Sequence, residues 1–288
     1  MPDVDVRFEQ LYGYLNDDVT RRRASAGLAL ALCGVPAAAA SGRALFTADS
    51  ALVGGGLLVV EEPERPMLSR PLRVPDRVVA HLLGSDAPDP ALAGVLAPPP
   101  PAVTSGVGPV RRALEHGVTL EHRATLVHLR EQPGSGAVAT ACAAVAATGA
   151  RPLVLDLRRL AEHADGAETA RVAVREARLT GAVLVGSPLD ALAERPAVIR
   201  ALAARTAPVV LAGAAAWDPA WSPDPPLLLE QPGWAEDDRK ALWRALLAGQ
   251  EVDGRDPARR RGSTCSRPSR SAARRRRRRC GRPSAGSP

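Results

Sequence analysis

The sequence contains very little lysine and few aromatic residues. Of its 38 basic residues only Lys240 is a lysine, and phenylalanine, tyrosine and tryptophan together supply eight residues of 288. Leucine, valine and alanine must therefore build the hydrophobic cores. The shortage of lysine also bears on function, because a working phosphate-binding loop places a lysine on the β- and γ-phosphates of a nucleotide.

Cysteine is also scarce, and its spacing excludes the usual metal frameworks. The four cysteines form no C-x-x-C pair, and the five histidines have no metal-ligand spacing relative to them. We therefore expect neither a zinc site nor a disulfide framework. Cys33 and Cys142 lie in apolar stretches with a helical pattern, which predicts small buried side chains in a reducing cytoplasm. Residues 21–40 have the basic start, apolar run and alanine-rich end of a secretory signal, but an amphipathic core helix is favoured because twenty residues with a helical pattern and acids precede them. No other run approaches the roughly 18 apolar residues of a membrane span.

Positive charge is concentrated at the carboxyl-terminal end. The formal net charge is +7, but residues 257–288 contain twelve arginines and no acidic residue, while the rest of the chain is mildly acidic. The overall charge of that larger part gives no sign of nucleic-acid binding. From Gly254 onward there is no Val, Leu, Ile, Met or aromatic residue, which predicts a disordered tail over residues 251–288. Its composition is typical of GC-rich coding sequence read in a shifted frame.

The first 84 residues have the pattern of a winged-helix domain. Helical and strand periodicity predicts three helices, a two-stranded wing and a closing helix within residues 5–84. The helices are predicted at 6–15, 19–33, 42–46 and from 76 onward, and the strands at 57–61 and 67–73. Residues 85–108 are rich in proline and are expected to form an extended linker.

Residues 109–250 alternate between strand and helix patterns. Strands are predicted at 125–129, 152–157, 182–185, 208–211 and 227–230, and helices at 137–148, 168–179, 197–205 and 235–247. Such alternation favours a parallel sheet with helices on both faces. The predicted fold class is therefore α/β, with a winged-helix domain ahead of a P-loop-like α/β domain.

The first predicted strand of this region runs into a glycine-containing loop. Gly134, Ser135 and Gly136 follow the strand and precede a helix, which is the context in which backbone N–H groups and a helix N-terminus bind phosphate. These three residues are the predicted vestigial phosphate loop. Ser135 lacks the G-x-S-x-G elbow of a hydrolase nucleophile, because Pro133 stands where the first glycine is required.

The loop differs from a working phosphate loop at the positions that bind the phosphates and the metal ion. Against G-x-x-x-x-G-K-[ST], Glu131 replaces the first glycine, Ala137 the lysine and Val138 the hydroxyl residue. Gly186 and Ser187 stand where a metal-holding acid and a water-activating glutamate are required. We therefore expect no cofactor, at most weak ATP binding, and no ATP hydrolysis by this chain.

The remaining polar residues of the region have ordinary explanations. Asp190 is predicted to cap the helix that follows it. His116, His122 and His128 recur every six residues, which matches neither one helical face nor a metal site, and predicts surface or partly buried side chains.

Together these features resemble a known family. Residues 125–247 are similar to the large subdomain of an AAA-type ATPase, with a degenerate phosphate loop, a degenerate acidic strand, a sensor-type strand at 208–213, and a helix carrying Arg239. The stretches 8–20 and 68–84 are similar to the winged-helix domain that begins certain long bacterial AAA ATPases. In that family a catalytic module follows further along the chain. The resemblance implies that this sequence is truncated before that module.

Two hypotheses about function follow. The first is a non-catalytic assembly or regulatory region of an AAA-type ATPase that acts through protein contacts in the cytoplasm. The second is a DNA-binding winged-helix regulator with an α/β ligand or dimerisation domain. The candidate nucleic-acid residues are Arg21, Arg22, Arg23 and Arg43, but the predicted reading helix offers only Arg43 and the wing tip carries glutamates, so protein contact is favoured.

Overall fold

A computed structural model provides the architecture of the chain. It describes residues 2, 4–117, 124–132, 135–231, 233, 236, 237, 239, 240 and 243. The chain divides into two compact units, Met1–Arg239 and Lys240–Pro288. The described residues of the second unit are Lys240 and Trp243, so the predicted helix at 235–247 lies largely outside the described residues and the arginine-rich tail lies entirely outside them.

The amino-terminal region contains short helices and a small hairpin. The helices are α1 (Arg7–Leu15), α2 (Ala26–Leu32), α3 (Ala40–Ala44) and α4 (Asp76–Leu82), and the strands are β1 (Val59–Val60) and β2 (Leu72–Arg73). The two strands pair antiparallel. The predicted return strand is shorter than expected, because Met67–Ser69 forms a turn of 3-10 helix.

Helix α2 begins seven residues later than the periodicity predicts. Ser25 caps it by accepting a hydrogen bond from the Leu28 amide at 3.2 Å. The residues around Ser25 instead pair with the wing, since the Ala26 amide bonds the Arg70 carbonyl and the Leu72 amide bonds the Ala24 carbonyl. The predicted helix over 19–33 is therefore wrong in its first half, because residues 19–23 form turns and the backbone at Ala24 and Ala26 bonds the wing.

Part of the segment predicted as an extended linker belongs to the core. Leu92 and Val95 are fully buried among the hydrophobic residues of the α/β region. The Asp156 amide bonds the Val95 carbonyl at 2.9 Å and the Ala97 amide bonds the Val154 carbonyl at 3.0 Å. This segment therefore covers the outer edge of the parallel sheet, which would otherwise present free backbone groups.

The described residues of the α/β region form a sheet of five parallel strands. They are β3 (Leu126–Arg130), β4 (Pro152–Asp156), β5 (Val183–Ser187), β6 (Val209–Gly213) and β7 (Leu227–Glu230), in the spatial order β4-β5-β6-β3-β7. The helices are α5 (Val107–Gly117), α6 (Ala137–Ala147), α7 (Leu157–Glu162), α8 (Gly166–Thr180) and α9 (Pro196–Leu202). The parallel sheet is confirmed, whereas α5 and α7 have no counterpart among the predicted elements.

Two apolar cores lie on opposite faces of this sheet. One contains Leu126 and Leu211 from the strands together with residues of α7, α8 and α9. The other contains Val127 and Val210 together with residues of α5 and α6. The alternation of neighbouring strand residues between the two cores is the period-2 geometry of a buried strand. Both faces of β3 are therefore covered, and its carboxyl end carries the glycine loop.

Candidate functional site

The loop after β3 begins at the carboxyl end of a strand that lies between β6 and the edge strand β7. The Glu131 amide bonds the Gly213 carbonyl at the end of β6, which holds the first loop residue against the neighbouring strand. Ser135 is buried, and Gly136 has φ +73° at the start of α6, a left-handed conformation that glycine adopts without strain. Gly134 lies outside the described residues. The predicted order of strand, loop and helix is therefore present around Ser135 and Gly136.

A carboxylate from the chain itself lies at the start of α6. Glu131 Oε2 accepts a hydrogen bond from the Ser135 hydroxyl and another from the Ala137 amide, each at 3.2 Å. These groups are donors that a phosphate at a helix N-terminus would use. Because the Glu131 carboxylate satisfies both donors and brings its own negative charge, the loop disfavours a second anion at this position.

The acidic residues near the ends of the strands also bond the backbone. Asp156, at the end of β4, accepts hydrogen bonds from the first amides of α7. Asp190 Oδ2 accepts from the Ala214 amide at 2.9 Å and Oδ1 from the Ala215 amide at 2.7 Å. The prediction that Asp190 caps the following helix is wrong, because its 3-10 turn directs the carboxylate toward the loop after β6. The N-cap residue of α9 is Arg195.

His128 lies inside the protein, on the same face of β3 as Leu126. It is 1% exposed, and its ring centroid lies 5.7 Å from that of Trp217. Within the part of the chain that the structure describes, neither ring nitrogen has a hydrogen-bond partner. Burial lowers the pKa of His128, and the positive charge of Arg130 lowers it further, while Asp190 opposes both effects. The prediction of a surface or partly buried histidine is wrong here, although strand alternation from Leu126 could have revealed it.

The predicted burial of the other histidines and cysteines is correct for some residues and wrong for others. His116 is exposed and its ring bonds the Arg112 carbonyl, whereas His122 lies outside the described residues. Cys142 is buried as predicted, but Cys33 is exposed, because it ends α2 at the surface. Across the described parts of the chain, no cluster of three or more His, Cys, Asp or Glu side chains is placed to hold a metal ion.

The arginines ahead of α2 lie beside the wing. Arg21, Arg22 and Arg23 line a cleft of about 310 Å³, whose wall also includes Arg65. Arg43 is not part of this lining, and its guanidinium bonds the Ala37 carbonyl at 2.8 Å. The structure therefore brings three of the four predicted nucleic-acid residues together and leaves the fourth elsewhere.

The wing side of this cleft carries acidic groups. Glu61 accepts hydrogen bonds from Arg23 at 2.7 Å and from Arg73 at 2.8 Å. Burial favours the neutral form of Glu61, but the two arginine hydrogen bonds outweigh it and lower its pKa. Glu62 lies nearby and forms an ion pair with Arg65. The cleft is thus a surface of mixed charge with an excess of arginine.

Helix α8 holds the amino-terminal region against the sheet. Arg77 on α4 makes two hydrogen bonds to Glu176, at 2.7 and 2.9 Å, and the two side chains are 6% and 2% exposed. This hydrogen bonding raises the pKa of Arg77. One residue before Glu176, Arg175 bonds Asp89 at 2.6 Å, and two residues after it Arg178 bonds the Ala51 carbonyl at 2.8 Å. One face of α8 therefore binds several separate segments of the first hundred residues.

Comparisons with known proteins agree with part of this description. Residues 1–96 match the family described as "Winged helix domain, variant", and these residues form a winged-helix domain. Among solved structures, a chain in the "Structure of E. coli MS115-1 HORMA:CdnC:Trip13 complex" is similar, with 16% identity and a TM-score of 0.25. The likeness covers 51% of this chain and 63% of that chain, so it spans less than two thirds of the latter. A TM-score of this size adds nothing to the assignment of the α/β region.

A search of curated proteins gave no match. Within the described residues, no helix combines the length and the apolar character needed to cross a bilayer.

Proposed function

We propose that this chain is a non-catalytic assembly and regulatory region of an AAA-type ATPase, and that it acts by protein contact. The observation that carries the proposal is the position of the Glu131 carboxylate, which bonds Ser135 and the first amide of α6. A loop of this shape binds the phosphates of a nucleotide through backbone N–H donors and a lysine side chain. Here an internal anion takes two of the donors, and alanine stands at the lysine position.

The architecture of the sheet supports the AAA-type assignment. Strand β3, which leads into the loop, lies between β6 and β7 in a wholly parallel sheet. Open sheets of this kind bind ligands outside the carboxyl ends of their strands, and the loop is at that edge. A nucleotide bound at this edge would therefore meet none of the residue types that phosphoryl transfer requires at these positions.

The acidic residues at the same edge support the loss of catalysis. Both carboxylate oxygens of Asp190 accept hydrogen bonds from backbone amides, and Asp156 caps α7. Each carboxylate therefore stabilises the local backbone. Ser187 ends β5, where a metal-holding acid would be needed. Without such an acid, magnesium and the attacking water would lack the groups that hold them during phosphoryl transfer.

The contacts of α8 support a role as a platform. A buried arginine–glutamate pair joins the winged-helix domain to α8, and a domain held in this way can offer its outer surface to a partner. A DNA-binding role receives less support, because Glu61 and Glu62 stand in the cleft that contains Arg21, Arg22 and Arg23. Carboxylates in that position oppose the phosphates of a duplex.

Calorimetric titration of ATP with magnesium into the full chain tests the proposal. Because an arginine-rich tail attracts any polyanion, the informative comparison is between variants that share the tail. We expect no saturable binding by the wild type, a gain of weak phosphate binding in Glu131→Ala, and no change in Glu162→Ala, an exposed control. Tight, magnesium-dependent binding by the wild type would contradict the proposal.

A further inference from the structure

His128 lies between the sheet and the aromatic ring of Trp217. The two ring centroids are 5.7 Å apart, and His128 is 1% exposed. Residues that are paired in a parallel sheet share one of its faces. The partner of His128 on β6 is Leu211, which is fully buried, whereas its partner on β7 is Leu228, which is 66% exposed. Water therefore reaches this face of the sheet one strand away from His128.

Trp217 belongs to the loop after β6, which is attached at its start by hydrogen bonds to Asp190. The Ala214 and Ala215 amides donate to the two oxygens of that carboxylate. We name residues 214–218 the Trp217 cover. Trp217 is half-buried and packs against the hydrophobic core on this face of the sheet. Its indole is therefore the large side chain by which the cover contacts the sheet.

The far end of the loop is anchored in the core. Trp221 is 6% exposed, and its ring packs edge-on against Trp217 with the centroids 5.4 Å apart. Asp218 caps the intervening turn by accepting from the Ala220 amide at 2.8 Å, and Arg200 on α9 donates to the Ala220 carbonyl at 3.4 Å. This end of the loop can therefore stay in place when Trp217 moves.

The contact between His128 and Trp217 leaves buried polar atoms without partners. Among the described residues, neither ring nitrogen of His128 has a hydrogen-bond partner, and the same is true of the indole Nε1 of Trp217. A neutral imidazole offers one donor and one acceptor, whereas an imidazolium needs an acceptor at each nitrogen. A buried charge without such acceptors costs far more than a buried neutral ring. Protonation of His128 therefore destabilises the closed arrangement.

The charged groups around His128 do not supply the missing acceptors. Arg130, two residues along β3, opposes protonation, and its own ion pair with Glu230 is at 3.7 Å. Asp190 favours protonation, but both of its oxygens already accept hydrogen bonds from amides of the Trp217 cover. Burial is the largest effect, and it lowers the pKa of His128. A protonated ring is therefore best stabilised by contact with water.

We propose that the Trp217 cover is an acid-released lid, which moves off His128 when the ring is protonated and leaves the sheet and Trp221 in place. The movement brings water to the imidazolium at the cost of the contact between Trp217 and the sheet. This inference concerns the loop after β6, and it is independent of the proposed function.

The cost of opening sets the pH at which the lid is released. The ordinary pKa of a histidine in water is about 6.5. Each roughly tenfold excess of the closed form over the open form in the neutral protein lowers the apparent pKa of His128 by about one pH unit. Removing the Trp217 side chain should therefore return the pKa of His128 toward about 6.5.

Tryptophan fluorescence of the full chain, with acrylamide as the quencher, tests this inference. All proteins in the test carry Trp234→Phe and Trp243→Phe, so that Trp217 and Trp221 are the remaining tryptophans. The pH is lowered from about 8 to about 5, the range in which histidine titrates, while circular dichroism reports whether the protein stays folded. His128→Phe removes the titrating ring, and His116→Gln, at an exposed histidine, is the matched control.

We expect acrylamide quenching to rise severalfold as the pH falls below about 6.5, with circular dichroism unchanged. The rise should be absent in His128→Phe and preserved in His116→Gln. Trp217→Phe leaves Trp221 as the reporter and should also remove the rise, because Trp221 stays in the core.

A proton NMR titration of the His128 ring provides a second measurement, which does not depend on the folding of His128→Phe. Trp217→Ala should raise the pKa of His128 toward about 6.5. A rise in quenching that appears only together with the loss of circular dichroism would overturn the inference, because the ring would then charge only when the whole fold is lost. So would a rise that persists in His128→Phe, or a His128 titration that Trp217→Ala leaves unchanged.

Discussion

Replacing Glu176 with alanine would remove the central contact between α8 and the winged-helix domain. Arg77 would then keep its charge at 6% exposure, with the Ser85 carbonyl at 3.0 Å as a hydrogen-bond partner and with Asp86 and Asp89 as more distant negative charges. Removing one member of a buried ion pair costs about 3–5 kcal/mol, because the other charge stays desolvated. For a unit of this size about 1 kcal/mol corresponds to roughly 2–4 °C, so we expect the melting temperature to fall by roughly 6–20 °C.

The same helix supplies a matched control. Glu168 pairs with Arg171 at 2.8 Å, but both side chains are at least 60% exposed. Glu168→Ala should therefore lower stability by less than about 1 kcal/mol. Replacing Arg77 with methionine and Glu176 with leucine together should recover most of the loss, because no buried charge is left unpaired.

Thermal unfolding followed by circular dichroism and by calorimetry measures these effects. If the winged-helix domain separates before the sheet unfolds, Glu176→Ala should show an additional transition at lower temperature. In that case the stability lost in Glu176→Ala cannot exceed the free energy of the contact between the winged-helix domain and the sheet region. Equal melting curves for Glu176→Ala and Glu168→Ala would refute the reasoning.

Two further predictions follow from buried titratable groups. Burial raises the pKa of Cys142 to about 11, so a thiol reagent at neutral pH should modify exposed Cys33 at once and Cys142 only after unfolding. In a Cys265→Ser, Cys280→Ser background, Cys33→Ser should remove the fast phase, and fast labelling of Cys142 would count against its burial. The pKa of His128 is lowered in the folded protein, so the unfolded chain takes up the proton first as the pH falls. Stability should be complete above about pH 6.5 and decline below it, and His128→Phe should flatten that decline in melts between pH 5 and 8.

The regular parts of the fold could be predicted because they depend on local pattern. β3 and β6 are short apolar runs, and α6 follows a glycine loop. Hydrophobic periodicity and the positions of glycine are therefore enough to place these elements. The start of α2 could not be placed in this way. It depends on pairing between residue 25 and residue 71, and sequence periodicity carries no information about such a partner.

In the candidate site, too, residue identities could be read from the sequence, whereas contacts between side chains could not. The sequence reveals that Glu131 stands where a glycine is expected, and hence that the loop is degenerate. It does not reveal that the carboxylate turns back onto Ser135 and the start of α6. The contact between Arg77 and Glu176 joins residues 99 positions apart, and no local signal marks either one as a partner.

The most direct test of the proposed function is phosphate release from ATP by the purified full chain with magnesium. Glu131 occupies donors at the start of α6, alanine stands at the lysine position, and Ser187 ends the strand where an acid is required. We therefore expect the wild type and a Gly136→Asp variant, which blocks the loop, to release phosphate at the same background rate. Turnover above background that disappears in Gly136→Asp would contradict a non-catalytic function.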